Sequence, residues 1–456
     1  MTALLVTPGQ RLRGETTMPG DKSIAHRWLL LAVTARGRSR LVEMPPSLDV
    51  RSTASCLAAV GPTARAALQG WLRNVAAADE GHRSTWNSSL VSSEKAVLEV
   101  EGGAREALVE AGRDLDCGNS GTTMRLLTGL LAGVPGRNVL TGDAGLRTRP
   151  MERVAAPLRE MGAAVATTQG HAPIEVRGGA LHGIRYRIPV ASAQVKSALL
   201  LAGLGAEEET IVEEPAATRD HTERALAALG GPVLAAPGRV SLRGFQHDGF
   251  SGTVPGDPSS AAFLMAAAAL TGSEITIRDV GLNPTRMHFL DVLSRMGVRT
   301  SRRIDREEVG EPVGDVHVDV CHSLVGTRIE PEELPLVIDE VPMLAAVAAH
   351  ASGETRFLGA SELRVKESDR IAAIAGGLRS LGGHARDEGA DLVVTGGGLG
   401  GGRASGGGDH RVAMAFTVAA LAASGPSTIE GAEAADVSFP GFVDTLRGLG
   451  ASLEPS

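Results

Sequence analysis

The residues of this chain that could bind anions and move protons gather in a few short segments. LRVKESDR (Leu363 to Arg370) places Lys366 and Arg370 four residues apart, a spacing that predicts one shared helix face. Arginine suits two-point recognition of phosphate or carboxylate; a solvated charged surface is the other reading of such a run. GLRTRP (Gly145 to Pro150) adds Arg147 and Arg149 at the predicted end of a strand. Asp339 and Glu340 open an apolar segment, and Glu367 lies beside Lys366. A lysine among other cations has its pKa lowered, which makes it a usable proton donor near neutrality. Asp339 could take a proton from a substrate hydroxyl, or serve as a plain helix N-cap. No His/Cys grouping has metal-ligand spacing, and the GxSxG of serine hydrolases is absent.

Polar residues recur at one kind of place, the starts of six Ala/Leu-rich segments. These starts hold Lys22 and Ser23; Asn119, Ser120, Gly121 and Thr122; Ser192 and Gln194; Asp257, Ser259 and Ser260; Asp339 and Glu340; and Asp409, His410 and Arg411. Ordinary capping explains Ser, Thr, Asp and Asn there. It does not explain Lys22 or Arg411, because a cation at the positive end of a helix is unfavourable by about 0.3–1 kcal/mol. Two such placements point to an anion held jointly by helix ends and cations. A phosphate about 4 Å from a guanidinium gains about 4 kcal/mol per charge pair at an effective dielectric near 20. The cations therefore set affinity, and the helix ends set orientation.

The elements that must position these groups form a repeat. An amphipathic segment ending in Leu or Met, or Val in the first copy, is followed by Gly at Gly61, Gly162, Gly230, Gly297, Gly382 and Gly450. These glycines read as left-handed helix C′ caps. In parallel run six buried-helix segments, from KSIAHRWLLLAVTARG to DHRVAMAFTVAALAASG, each followed by a β-like run. Helices apolar nearly all round are predicted to be buried, and the strands alternate in the half-buried manner. The unmodified period, close to 67 residues, is longer than common solenoid units. Six copies in two sets of three predict two similar domains with helices inside and sheets outside. Residues about 64 to 95 are polar and weakly periodic and read as a surface insertion. The Gly-rich stretch from Gly396 to Gly408 lacks the GK[ST] ending of a phosphate loop and reads as a flexible connection.

Composition sets the limits. At 456 residues the chain fits two domains. Its 43% apolar and 21% charged residues indicate a globular protein, and only 3% aromatics leave Ala, Leu and Val to build the core. A net charge of −8 argues against nucleic-acid binding. The three cysteines, Cys56, Cys117 and Cys321, give no disulfide framework and fit a reducing cytosol. No secretory signal or membrane-length apolar run is visible.

PGDKSIAHR (Pro19 to Arg27), DCGNSGTTMR (Asp116 to Arg125), LRTRPM (Leu146 to Met151), PVASAQVKSALLLA (Pro189 to Ala202), RVKESDR (Arg364 to Arg370), DHRVAMAF (Asp409 to Phe416) and SFPGF (Ser438 to Phe442) together resemble the EPSP synthase, or 3-phosphoshikimate 1-carboxyvinyltransferase, family of enolpyruvyl transferases. The resemblance covers nearly the whole chain outside the 64–95 segment. It implies an α/β fold of two inside-out barrel domains, each of three βαβαββ units, closing over substrates at a hinge. Residues 1–20 with 241–456 would form one domain and 21–240 the other. It also implies that the enolpyruvyl group of phosphoenolpyruvate passes to the 5-hydroxyl of shikimate 3-phosphate, without metal or cofactor. Lys22, Ser23 and Arg27 would hold substrate phosphates and carboxylate. Gly121, Arg149, Arg370 and Arg411 would join Lys22 around phosphoenolpyruvate. Ser192, Ala193, Gln194 and Thr218 would line the shikimate 3-phosphate site. Asp339 would deprotonate the attacking hydroxyl, Lys366 would sit beside that hydroxyl and the leaving phosphate, and Glu367 would help protonate the methylene carbon. The implied partners are small molecules only, with sensitivity to glyphosate through Gly121, no nucleic acid, no membrane, and a cytoplasmic monomer.

Some positions depart from the family pattern. Ala193 replaces a common Ser, His221 a common Tyr, Val437 a common Lys and Glu362 an Asn; Arg125 is a cation able to compensate for Val437. A related transferase acting on UDP-N-acetylglucosamine differs by Asn after the motif lysine and a reactive loop Cys. Here Ser23 follows Lys22, and Cys117 lies in the GNSGT segment. A non-catalytic anion-binding regulator is the remaining alternative.

Overall fold

The computed structural model describes residues 3–82 and 96–456, with the backbone alone for 79–82. Contacts divide the chain into two compact units. The first is Gly20–Val254 with Glu307–Glu311; the second is Met1–Pro19, Pro255–Arg306 and Pro312–Ser456.

Helices that are apolar all round have no face to offer water, so they must lie inside. In the first unit these are Lys22–Thr34, Gly121–Ala132 and Ala193–Gly203. The Gly121 helix packs along both of the others. In the second unit they are Pro258–Leu270, Val341–His350 and His410–Ala420, which pack pairwise. Every residue from Pro258 to Ala269 is buried. Small side chains permit such crowding. A Cβ placed on Gly129 would lie 2.2 Å from the Ala198 carbonyl oxygen, so the Gly121 and Ala193 helices cross backbone to backbone there.

Among the described residues each unit carries three small sheets of three or four strands. In four cases a buried helix joins two neighbouring parallel strands directly, as Leu115–Asp116 and Gly136–Thr141 flank the Gly121 helix. In the other two the parallel partner comes from a distant stretch of chain. Ser251–Thr253 pairs with Arg36–Val42 in the first unit, and Arg13–Thr17 with Glu274–Gly281 in the second. This exchange makes the second unit discontinuous and seats Ala3–Thr7 between Ser427–Glu430 and Ser452–Pro455. Each unit has its own apolar core. The three cysteines are free, with Cys56 and Cys117 buried. No helix among the described residues is long and apolar enough to cross a membrane.

Several sequence expectations need correction. Gly162, Gly230, Gly297, Gly382 and Gly450 have the expected positive φ, but Gly61 does not, at −107°. A Cβ on Gly61 would meet Val33 at 2.7 Å, so tight packing, not a left-handed turn, explains that glycine. Within the segment that reads as a surface insertion, residues 65–82 form the helix Arg65–His82, packed on Leu48–Val60 through buried Leu68 and Trp71. The rest of that segment, 83–95, lies outside the described residues. The Gly396–Gly408 stretch contains a strand, Gly402–Ser405, paired with Ser427–Glu430. Its glycines allow close approach, since a Cβ on Gly396 would lie 1.8 Å from the Ala351 carbonyl oxygen.

Replacing Gly129 with Ala should overpack the helix crossing and destabilise the fold by about 1–3 kcal/mol. Gly133→Ala, whose methyl would meet Leu181 at an ordinary 3.5 Å, should change stability by less than about 0.5 kcal/mol. Urea unfolding of the two variants checks the difference; equal midpoints would contradict the crossing.

Candidate active site

In the second unit one fully buried guanidinium organises the charged residues. Asp369 caps the helix Arg370–Ser380, whose first residue, Arg370, points inward. Arg370 donates through Nε to Asp409 Oδ2 at 2.8 Å and through Nη2 to Glu367 Oε2 at 2.5 Å, and its Nη1 lies 3.5 Å from Asp339 Oδ1. Burial acts to lower its pKa, but the three carboxylates outweigh burial and raise it. Asp409 is buried too, yet Arg370 holds its carboxyl below the usual carboxylate range. Asp409 also accepts from the Arg411 backbone N–H at 3.0 Å as the N-cap of the His410 helix.

Asp339 stands among three cations. Lys366 Nζ lies 3.7 Å from its Oδ1, and Arg411 Nη2 lies 3.9 Å from its Oδ2. Arg411 also donates through Nη1 to the Asp339 carbonyl at 2.8 Å. The N-cap of the Val341 helix is Glu340, without a side-chain cap bond, so capping is not what Asp339 does. Ser259 donates to Glu340, which links the starts of the Pro258 and Val341 helices. The side chains of Lys366 and Glu367 are about a quarter exposed, at 29% and 27%. The expectation that Lys366 and Arg370 share a helix face is wrong. Lys366 follows the short 3-10 turn Ser361–Val365 and precedes the helix that Arg370 opens, yet both reach Asp339.

In the first unit the starts of the three buried helices are tied side by side. Asp21 caps the Lys22 helix, and Lys22 Nζ donates to Asp49 Oδ2 at 2.9 Å. Arg27 is buried and held by neutral acceptors: Thr222 Oγ1 at 2.8 Å, Ser197 Oγ at 2.8 Å and the Ser23 carbonyl at 2.7 Å. Burial holds its pKa down to about 10, while Glu223 and Asp21 raise it and Arg219 lowers it further. Ser192 caps the Ala193 helix, accepting from the Val195 N–H at 3.4 Å. Gln194 donates to Thr122 Oγ1 at 2.9 Å and accepts from Arg125. Arg149 is buried and donates to Asn119. It does not end a strand, because Ala144–Arg147 is a short helix. A Cβ on Gly121 would lie 3.0 Å from Arg125 Nη1 and 3.3 Å from Arg149 Nη1, so two guanidinium tips crowd this glycine. Thr218 is buried and donates to Glu214 Oε2 at 2.6 Å. His221, in place of an expected Tyr, is buried against Glu311 at 2.7 Å.

The sequence-predicted residues divide between the units: Lys22, Ser23, Arg27, Gly121, Arg149, Ser192, Ala193, Gln194 and Thr218 lie in the first, and Asp339, Lys366, Glu367, Arg370 and Arg411 in the second. Sequence reasoning passed over Asp49, Arg219 and a buried ion triad. In that triad Lys196 lies 2.9 Å from Glu214 and 2.8 Å from Glu223. Both carboxylates outweigh burial and raise the Lys196 pKa, whereas burial outweighs Lys196 and raises that of Glu223. A lone Lys inside VKSALLLAGL was the available signal for such a pairing. Among the described residues no group of three or more His, Cys, Asp and Glu is arranged to hold a metal.

Helix starts with buried arginines in both units, and a carboxylate next to an ammonium in the second, define a class: an α/β protein that holds multiply charged anions and moves protons on them. The EPSP synthase (3-phosphoshikimate 1-carboxyvinyltransferase) family model matches residues 6–77 and 71–446, and the chain belongs to that family. A 3-phosphoshikimate 1-carboxyvinyltransferase of Halorhodospira halophila is 48% identical over 455 residues, covering 98% of this chain and 96% of that protein. One from Desulforudis audaxviator is 46% identical over 451 residues, covering 98% and 99%. An EPSP synthase structure from Acinetobacter baumannii superposes with a TM-score of 0.82 at 38% identity, over 100% of both chains.

His26, one turn along the Lys22 helix, shares a hydrogen bond of 2.7 Å with Thr53 Oγ1. Burial is the main reason its pKa falls to about 3, with Asp49 opposing and Lys22 reinforcing the shift. The folded chain keeps this imidazole neutral, whereas the unfolded chain protonates it near pH 6.5. Its contribution is therefore present above that pH and is lost as the pH falls toward 3, at up to about 1.4 kcal/mol per pH unit. Urea unfolding between pH 7.5 and 4 should show a slope shallower by about one proton in His26→Gln. Identical slopes would mean that His26 takes up a proton in the folded state.

Proposed function

We propose that this chain transfers the enolpyruvyl group of phosphoenolpyruvate to the 5-hydroxyl of shikimate 3-phosphate in aromatic biosynthesis, releasing inorganic phosphate. The observation that carries the reading is Asp339 set among Lys366, Arg370 and Arg411 at 3.5–3.9 Å, in a chain of this family. The hydroxyl oxygen adds to carbon 2 of phosphoenolpyruvate as carbon 3 takes a proton, giving a tetrahedral adduct. Loss of inorganic phosphate from carbon 2 and of a proton from carbon 3 then yields the enol ether. Asp339 receives the hydroxyl proton. Glu367 serves carbon 3, and Lys366 protonates or neutralises the departing phosphate.

Lys22, Gly121, Arg149, Arg370 and Arg411 hold phosphoenolpyruvate. Lys22, Ser23, Arg27, Ser192, Ala193, Gln194 and Thr218 hold shikimate 3-phosphate. Buried guanidiniums with neutral partners, such as Arg27, support these assignments because they leave charge for an anion to neutralise. Arg125, bonded to Gln194, offsets the loss of a cation at Val437. The two compact units are the family's two domains, in the inside-out arrangement that buried helices beneath separate small sheets support. The enzyme works as a cytoplasmic monomer, and glyphosate competes at the phosphoenolpyruvate site because Gly121 leaves room there. Action on a UDP-sugar through a reactive cysteine is disfavoured. Contact with the Cys56 thiol and burial push the Cys117 thiol well up, which leaves it a poor nucleophile.

Phosphate release from phosphoenolpyruvate is expected with shikimate 3-phosphate and not with UDP-N-acetylglucosamine. Release with the UDP-sugar alone would overturn the reading, and release with neither would favour a binding protein. In the same assay Lys366→Met should fold normally and lose at least about 100-fold in turnover; near wild-type turnover would remove Lys366 from the mechanism. Glyphosate titration of this release should give inhibition relieved by added phosphoenolpyruvate.

A further inference from the structure

Lys196 lies two residues beyond Gln194 on the Ala193 helix, with its side chain only 3% exposed. Its ammonium donates to Glu214 Oε1 at 2.9 Å and contacts Glu223 Oε1 at 2.8 Å. Glu214 is itself a clamp, accepting the Thr218 hydroxyl on Oε2 at 2.6 Å and the Thr218 N–H on Oε1 at 3.4 Å. Glu223 belongs to the helix His221–Ala228, and its Oε2 is buried without a hydrogen-bond partner. The preceding residue, Thr222, accepts from Arg27 Nε and donates to Ser197, the residue after Lys196. One ammonium thus sits between the carboxylate that orients Thr218 and a carboxylate whose field falls on Arg27. Replacing a buried ion cluster with apolar side chains is often neutral or stabilising, so stability alone is a weak reason for one.

We propose that Lys196 is a positioning residue for shikimate 3-phosphate: through Glu214 it fixes Thr218, and through its neutralisation of Glu223 it keeps the Arg27 guanidinium available to the substrate phosphate. This rests on the reading above, in which Thr218 and Arg27 hold that substrate. Without the ammonium, Glu214 and Glu223 become two uncompensated carboxylates among the groups that receive a phosphate dianion, and they repel it. Arg149 is bonded instead to Asn119, outside this triad. The effect therefore separates between the two substrates.

Steady-state kinetics with each substrate varied in turn tests the proposal. Lys196→Gln should raise KM for shikimate 3-phosphate at least about tenfold, with kcat and the KM for phosphoenolpyruvate changed by less than about threefold. Lys196→Arg should recover much of the loss. A merely structural role would lower Tm and kcat while leaving both KM values in place, and that result overturns the proposal, as does a parallel rise in both KM values. Where Lys196→Gln does not fold, Lys196→Met, which also removes the ammonium and leaves both carboxylates, carries the same expectation and the same refutations. An active wild type without the split overturns this proposal alone. A wild type that releases no phosphate with shikimate 3-phosphate overturns both it and the reading beneath it.

Discussion

The guanidinium of Arg370 is withdrawn entirely from water, and Asp409, Glu367 and Asp339 compensate its charge. The consequences spread through the second unit. Asp409 cannot serve Arg370 without fixing the start of the His410 helix, because the same carboxylate caps it. That start carries Arg411, which grips the backbone carbonyl of Asp339. Glu367 cannot reach Arg370 without ordering the loop that holds Lys366. One buried cation therefore ties together the placement of a carboxylate, an ammonium and a second guanidinium.

The first unit solves the opposite problem. There Arg27 and Arg149 donate to hydroxyls, a carbonyl and an amide. Burial holds the Arg27 pKa down, and the nearby carboxylates Glu223 and Asp21 oppose it only in part. Such a group gains more from an arriving phosphate than an ion-paired arginine does. The second unit, by contrast, has carboxylates for its cations already.

How much of this was legible in the sequence depended on the range of the physics involved. Local rules worked: the caps at Asp21, Ser120, Ser192, Asp257 and Asp409 sit where Ser and Asp before apolar runs predicted helix starts. Five of the six expected left-handed glycines also follow from helix termination. Nonlocal packing was not legible. Gly61 and Gly396 look like conformational glycines in sequence, but neighbouring atoms demand them. The Arg65–His82 helix was missed because Leu68, Trp71 and Val75 are sparse among polar residues, although they keep a three-to-four spacing. Lys366 and Arg370 were predicted to meet through helical periodicity and instead meet through a third residue, Asp339. Spacing could not reveal that, because the common partner lies far away in the chain.

The composition and the chemistry have one cause. Three helices whose starts are bridged by single hydrogen bonds, as Gln194 bridges to Thr122 and Ser259 to Glu340, must run close together along their length. Large aromatic side chains between them would push the starts apart, beyond the reach of one anion. Small residues at the crossings keep the axes close, as where Gly129 meets Ala198. The scarcity of aromatics fits such crossings, and the few on these helices, Trp28, Phe263 and Phe416, are fully buried.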